Sequence, residues 1–302
     1  MKEQEHFLKC SMRGVNINLS SIPQALEEID AWINSEIPGY VCFFEANLFH
    51  CSLNDGELRA ILNRAALVYP DGVSVEKSLL LRTRKPLARV SGPSFMLALC
   101  DYGRSKGYRH FFYGGAVGVA EKLAENLQKQ FPGLDVGGIY SPPFRPLTEA
   151  EEQEFIRIIT TVRPTCLWVG LGGPKQEYWM ARHLGVLPVP IMFGVGAAFD
   201  FHSDNRPWAP VWLRRLGLEW LYRALSGGQK TLVRNIKCVS HIAYVLSEDY
   251  LRSFRGSLLQ ERLFQAPPCN DNPCRHCDGI PCSQSIPYCP WNHGRFINMN
   301  NK

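Results

Sequence analysis

Six short apolar runs, rich in β-branched and aromatic residues, recur along the chain, and each ends where an amphipathic stretch can begin. The runs are Tyr40–Glu45, Ala66–Tyr69, Arg109–Tyr113, Asp135–Tyr140, Thr165–Val169 and Pro190–Phe193. Helical spacing of apolar residues is kept over Ile22–Asn34, Asp55–Arg64, Pro93–Lys106, Val117–Gln130, Thr148–Val162 and Lys175–Leu184. Thr148-Glu-Ala-Glu151 reads as a capping box, with Thr as N-cap and Glu three residues on. This β-α-β-α rhythm predicts an α/β fold with a parallel, doubly wound sheet and helices on both faces. Ligands of such sheets sit at the carboxyl ends of the strands. Asn47 follows the first run, Asp71 the second, Gly114 and Gly115 the third, Gly170–Gly173 the fifth and Gly194–Gly196 the sixth. Polar and glycine residues therefore gather at one edge of the predicted sheet.

The chain has 302 residues, 45% of them hydrophobic and 20% charged, enough to bury a real core. No apolar run reaches the roughly 18–20 residues of a membrane-spanning helix. The start, MKEQEHFLKCSMRG, lacks the apolar centre of a secretory signal, so the expected residence is cytoplasmic. The net charge of +5 is unevenly placed: residues 206–237 hold seven Arg and Lys against Glu219 alone, leaving the rest close to neutral. Three of the seven tryptophans, Trp208, Trp212 and Trp220, fall in the same segment. A basic patch calls for an anionic partner, and interleaved tryptophans favour a membrane interface over nucleic acid. The expected organisation is an α/β domain over 1–202, a basic, Trp-rich, mainly helical C-terminal appendage over 203–264, and a Cys-rich, flexible tail over 265–302.

Eleven cysteines are present. Without an export signal they do not read as a disulfide framework. Cys10, Cys42, Cys51, Cys100, Cys166 and Cys238 are spread through the body, mostly in apolar surroundings. In the tail, Cys274-Arg-His-Cys277 is a C-x-x-C, and Cys282 and Cys289 complete a four-thiolate set of the kind that zinc or an iron–sulfur cluster takes. The spacing fits no common finger, and a reduced, unstructured tail is the competing reading.

Two segments repeat a strand–glycine turn–helix design that brings backbone N–H groups near a phosphate. In FFYGGAVGVAEKLAENL (111–127) the plain alternative is a tight turn. In LWVGLGGPKQEYWMARHL (167–184), Lys175, Gln176 and Glu177 stand at the helix start, where they cap the helix or grip a nucleotide or sugar. Asp71-Gly72 taken alone is a turn. No D-x-D occurs, so a nucleotide-sugar diphosphate would be neutralised by Arg, Lys and helix N-termini rather than by a metal held on paired carboxylates.

The blocks NRAALVYPDGVSV (63–75), RVSG (89–92), FFYGG (111–115), WVGLGGPKQEYW (168–179), FGVGAAFDF (193–201) and APVWLRRLGLEWLYRAL (209–225) resemble, in this order, the WecG/TagA/CpsF family of bacterial glycosyltransferases. The likeness runs from about Ser11 to about Lys237. It implies a Rossmann-like catalytic domain with a basic C-terminal appendage. It also implies an inverting, metal-independent transfer of N-acetylmannosamine, its uronic acid or a related hexose from a UDP-sugar to a polyprenyl-diphosphate-linked sugar, in polysaccharide or teichoic acid synthesis at the inner face of the membrane. No cofactor is required for such a transfer. Asp71 matches the catalytic base and Asn47 the Asn that contacts the sugar. Arg89 and Gln176 match residues holding donor or acceptor. Gly92, Gly114, Gly115, Gly172, Lys175 and Glu177 complete the expected substrate site. Arg214, Arg215, Trp220, Arg223 and Arg234 are the expected lipid-diphosphate and membrane contacts. The chain departs from the pattern at Glu45, where a Thr is common, and at Asp204 and Trp208, where Gly and Arg are usual. Self-association is compatible with this reading; nucleic acid is not an expected partner. Two other classes compete: a nucleotide-dependent oxidoreductase, disfavoured because no G-x-G-x-x-G follows the first strand, and a non-catalytic membrane- or nucleotide-binding protein on the same fold.

Overall fold

The computed structural model describes residues 9–84, 89–210, 213, 222, 238, 240–245, 247, 248, 250 and 251. Contacts group the chain into two units, Met1–Leu246 and Ser247–Lys302. The first unit opens with a hairpin of β1 (Lys9–Met12) and β2 (Val15–Asn18), paired antiparallel. Its two-residue turn has Arg13 at φ 51° and Gly14 at φ 84°, the positive pair that matches the twist of a tight hairpin. Then come α1 (Ile22–Asn34), β3 (Gly39–Phe44), α2 (Ala46–Asn54), α3 (Gly56–Arg64), β4 (Leu67–Pro70), α4 (Val73–Thr83) and α5 (Gly92–Arg104). The second half holds β5 (Arg109–Gly114), α6 (Val119–Gln130), β6 (Asp135–Tyr140), α7 (Glu149–Val162), β7 (Cys166–Gly170), α8 (Lys175–His183), β8 (Ile191–Gly194) and α9 (Ala198–His202).

Six strands form one sheet in the order β4-β3-β8-β7-β5-β6, every pair parallel. Successive side chains of a strand face opposite sides. On β3, Tyr40, Cys42 and Phe44 join one core layer, with Leu48 of α2, Leu58 of α3, Phe155 of α7 and Met180 of α8. Val41 and Phe43 join the other, with Ile29 of α1, Phe95 of α5, Leu123 of α6 and Phe199 of α9. β3 is buried on both faces, which is why its sequence, GYVCFF, is continuously apolar rather than alternating. The result is the expected Rossmann-like α/β arrangement.

Local chemistry fixes the pieces that carry the site. The capping box at Thr148 forms as its sequence predicts: Glu151 N–H donates to the Thr148 hydroxyl at 3.3 Å, and Thr148 N–H donates to Glu151 Oε2 at 2.8 Å. Glu28 of α1 is buried and accepts from the Ser20 hydroxyl at 2.5 Å and the Tyr69 hydroxyl at 2.6 Å. That pins α1 to β4, two residues ahead of Asp71.

Candidate active site

Asp71 is the first residue past β4. Its N–H donates to the Phe44 carbonyl at 3.0 Å, extending the β3–β4 ladder by one bond, and Val90 N–H donates to the Pro70 carbonyl at 3.2 Å. The segment 89–92 is thereby laid along the end of β4. Gly92 N–H then donates to Asp71 Oδ2 at 3.2 Å. This N–H belongs to the first residue of α5, where helix amides have no partner within the helix and the dipole end is positive, a favourable seat for a carboxylate. Arg89 lies half-buried at the start of the same segment. After Asp71 the backbone at Gly72 takes φ 87°, a conformation that side-chain-bearing residues resist, and α4 begins. A Cβ on Gly92 would stand 3.7 Å from Val195 Cα, so α5 reaches from Asp71 to the turn after β8.

The second group surrounds Asn47, which sits in the first turn of α2. Glu45 is the N-cap of that helix: its carboxylate accepts from Asn47 N–H at 2.8 Å and Leu48 N–H at 3.1 Å. The departure from Thr at this position thus retains a capping oxygen. Asn47 Nδ2 donates to the Gly173 carbonyl at 3.3 Å, joining α2 to the turn after β7. Gln176 and Glu177 enter α8 in its first turn and both are buried, whereas Lys175 is exposed. Gln176 Oε1 accepts from Gly172 N–H at 3.2 Å, and its Nε2 donates to Glu177 Oε1 at 2.9 Å. Added Cβ atoms on Gly194 and Gly196 would come within 3.0 Å and 3.4 Å of the Gln176 amide. Gln176 therefore ties together the turns after β7 and β8. Burial pushes the Glu177 carboxyl up to about 7; the Gln176 hydrogen bond opposes this and the Glu45 carboxylate adds to it.

The third group is the turn after β5. Gly114 has φ 128°, and a Cβ there would lie 2.7 Å from the Gly170 carbonyl group. Gly115 N–H donates to that same carbonyl oxygen at 3.2 Å. Contacts and the chain itself then link the carboxyl edge, from Asp71 to Gly92, from Gly92 to Val195, from the next residue, Gly196, to Gln176, from Gln176 to Gly172, and along the turn to Gly170 and Gly114. The edge predicted to collect the site residues does collect Asn47, Asp71, Arg89, Gly92, Gly114, Gly115, Gly172, Lys175, Gln176 and Glu177.

One contribution left no mark in the sequence. Cys238, Ile242 and Val245 are buried, the last two in the core layer of α2. The His241 ring stacks on His50 of α2 with centroids 4.6 Å apart and Nδ1 atoms at 2.5 Å. Cys238 Sγ lies 4.0 Å from Asn47 Oδ1. Residues from the segment assigned to the appendage thus pack on the helix that carries Asn47. Asp204, at a second departure, accepts from Asn126 Nδ2 at 2.9 Å, and Trp208 stacks on Phe201. Arg214, Arg215, Trp220, Arg223 and Arg234, and the tail Cys274, Cys277, Cys282 and Cys289, lie outside the described residues. Among the described residues no three His, Cys, Asp or Glu side chains are grouped to hold a metal ion, and no helix is long and apolar enough to cross a membrane.

Comparison with known proteins places this edge in context. An N-acetylglucosaminyldiphosphoundecaprenol N-acetyl-beta-D-mannosaminyltransferase of Bacillus spizizenii is 30% identical over 175 residues, 58% of this chain and 66%, just under two thirds, of the relative. Proteins of the same name from Bacillus subtilis and Staphylococcus aureus are 26% identical over 211 residues and 24% identical over 251. These alignments span 70% and 82% of this chain and 80% and 96% of the relatives. The model of the glycosyl transferase WecG/TagA/CpsF family matches residues 10–254, which include every site residue of the described edge. The chain belongs to the WecG/TagA/CpsF family of glycosyl transferases.

Proposed function

We propose that this enzyme transfers N-acetylmannosamine from a UDP donor to a polyprenyl-diphosphate-linked N-acetylglucosamine, inverting the anomeric centre and using no divalent ion at the diphosphate. The observation that carries the reading is Asp71: a carboxylate at the end of a parallel strand, oriented by an amide of α5, on the edge that also holds Asn47 and the glycine turns. The names of the relatives support the sugar and the acceptor. They also specify a beta product; UDP-sugars of this type are α-linked, so a β product requires attack from the opposite face.

In the step, the acceptor hydroxyl oxygen forms a bond to C1 of the sugar as the bond from C1 to the diphosphate oxygen breaks. The electron pair leaves with UDP, and Asp71 takes the hydroxyl proton. Asn47 orients the sugar. The departing diphosphate is met by turn amides and by arginines of the appendage, Arg214, Arg215, Arg223 and Arg234, whose forked donors suit it. With Trp220 they also meet the membrane surface that bears the acceptor.

Acceptor-dependent UDP release by the full chain tests this. Release is expected to persist in EDTA, to give the β anomer, and to fall about 10²–10⁴-fold in Asp71→Asn, the range a general base contributes. Full activity in that variant overturns the base, loss in EDTA overturns metal independence, and an α product overturns inversion.

A further inference from the structure

Glu177 is fully buried in the first turn of α8. Its Oε1 accepts from Gln176, while Oε2 has no hydrogen-bond partner among the described residues. A Cβ on Gly173 would stand 3.4 Å from Oε2, so this oxygen is aimed at the turn whose carbonyl Asn47 holds. A buried, unpartnered oxygen on an ionised carboxylate is costly, and protonation removes the charge.

Among the described residues, no cation is among the groups that act on its charge. β3 presents Tyr40, pushed up to about 12 mainly by burial, and Cys42, also pushed up. α2 presents the Glu45 carboxylate, a second negative group. From α3, Asp55 is taken by the Tyr178 hydroxyl at 2.5 Å, and Arg64 reaches the Ala181 carbonyl at 3.4 Å, one turn further along α8. β8 faces α8 with Gly194, against Met180 and Gln176. Lys175, on the same helix, is exposed.

We propose that Glu177 is a positioning residue that works as a neutral acid: protonated at Oε2 it lets the Gly173 turn close on Asn47, and its ionisation beside Glu45 drives that junction apart and weakens donor binding. The alkaline limb of the reaction then belongs to Glu177, whose side chain is fully buried. The kinetic half of this inference rests on the sugar-transfer reading; the protonation half does not.

Two measurements on the full chain test it. In infrared spectra, a protonated carboxyl C=O band is expected at about pH 6, lost by about pH 9, and missing from Glu177→Gln at both. In the transfer assay, KM for the UDP-sugar is expected to rise about tenfold between about pH 6 and about pH 8, following the neutral fraction, with kcat moving less. In Glu177→Gln that rise disappears, while Glu177→Asp, still ionisable, keeps a pH-dependent KM. Absence of the band overturns the neutral acid whatever the enzyme transfers. A band with parallel KM profiles in wild type and Glu177→Gln overturns the positioning role. A band with no UDP release at any pH overturns the transfer reading and upholds the neutral acid.

Discussion

Gly114→Ala strikes the point where the turns after β5 and β7 touch backbone to backbone. Two costs are expected. The first is conformational: φ is 128°, outside the range an alanine takes freely, worth about 1–3 kcal/mol. The second is steric: the new methyl would lie 2.7 Å from the carbonyl carbon and oxygen of Gly170. That neighbour is main chain inside a ladder, where His110–Gly114 pair with Cys166–Gly170, so it cannot rotate away. Forcing extra volume into such a place costs about 1–3 kcal/mol. The sum, about 4 kcal/mol, is a large part of the roughly 5–15 kcal/mol that holds a domain folded. Gly118→Ala separates the two costs, because Gly118 has φ 83° but nothing within 4 Å of an added Cβ; it should lose about 1–2 kcal/mol. Urea unfolding followed by circular dichroism reads both variants, with the slope held equal to wild type as the check that only stability changed. Equal losses in the two variants would refute the claim that the Gly114–Gly170 approach constrains the turn.

Stability should also report on Glu177. Its folded-state value, about 7, lies above the ordinary 4.5, so the native state binds the proton more tightly and stability falls as pH rises through that window. The loss is complete above about pH 7 and amounts to about 2–3 kcal/mol for a fully buried group, so Glu177→Gln should show a stability curve flatter by that amount between about pH 5 and about pH 8; a parallel curve contradicts the burial argument. Tyr69→Phe removes a hydroxyl that donates to Glu28 at 2.6 Å. It should cost about 1–3 kcal/mol in urea unfolding, because the carboxylate oxygen is left buried without that donor; a neutral result would show that water replaces it.

The parallel sheet was legible because its strands carry the signal: continuous apolar residues on β3, β5, β7 and β8, each broken by glycine or a polar residue. The capping box at Thr148 and the exact span of α1 were legible from local chemistry alone. Three helices were not: α2, α4 and α9, the last of only five residues. In α2, ANLFHCSLN mixes weak helix formers with a cap, Glu45, outside the usual Ser, Thr, Asp and Asn. In α4, two valines in the first turn follow a glycine N-cap, and tertiary packing of Val75 and Leu79 supplies what local preference does not. The hairpin β1–β2 was missed because four-residue strands around Arg13-Gly14 fall below any periodicity test. Within the site, the position of Asp71 followed from its strand. Its bond to Gly92, 21 residues on, and the bond of Asn47 to Gly173, 126 residues on, did not, since neither leaves a local pattern.

The order of the strands bears on how the enzyme comes into being. Among the described residues, β8 is the last strand of the sheet to be synthesised and lies between β3 and β7, and no other ladder joins β3 and β4 to β5, β6 and β7. A nascent chain that has not yet emerged past Gly194 holds two separate half-sheets, each with an open inner edge of unpaired amides. Long-range pairing of this kind is slow, and such edges are where partly made chains stick to one another. Insertion of Ile191–Gly194 closes both edges at once and brings the turn carrying Val195 and Gly196 between Gly92 and Gln176. Asp71 and Gly114 therefore enter one common edge only at that moment, and a ribosome-bound or truncated chain short of β8 has no assembled centre with which to take up substrate.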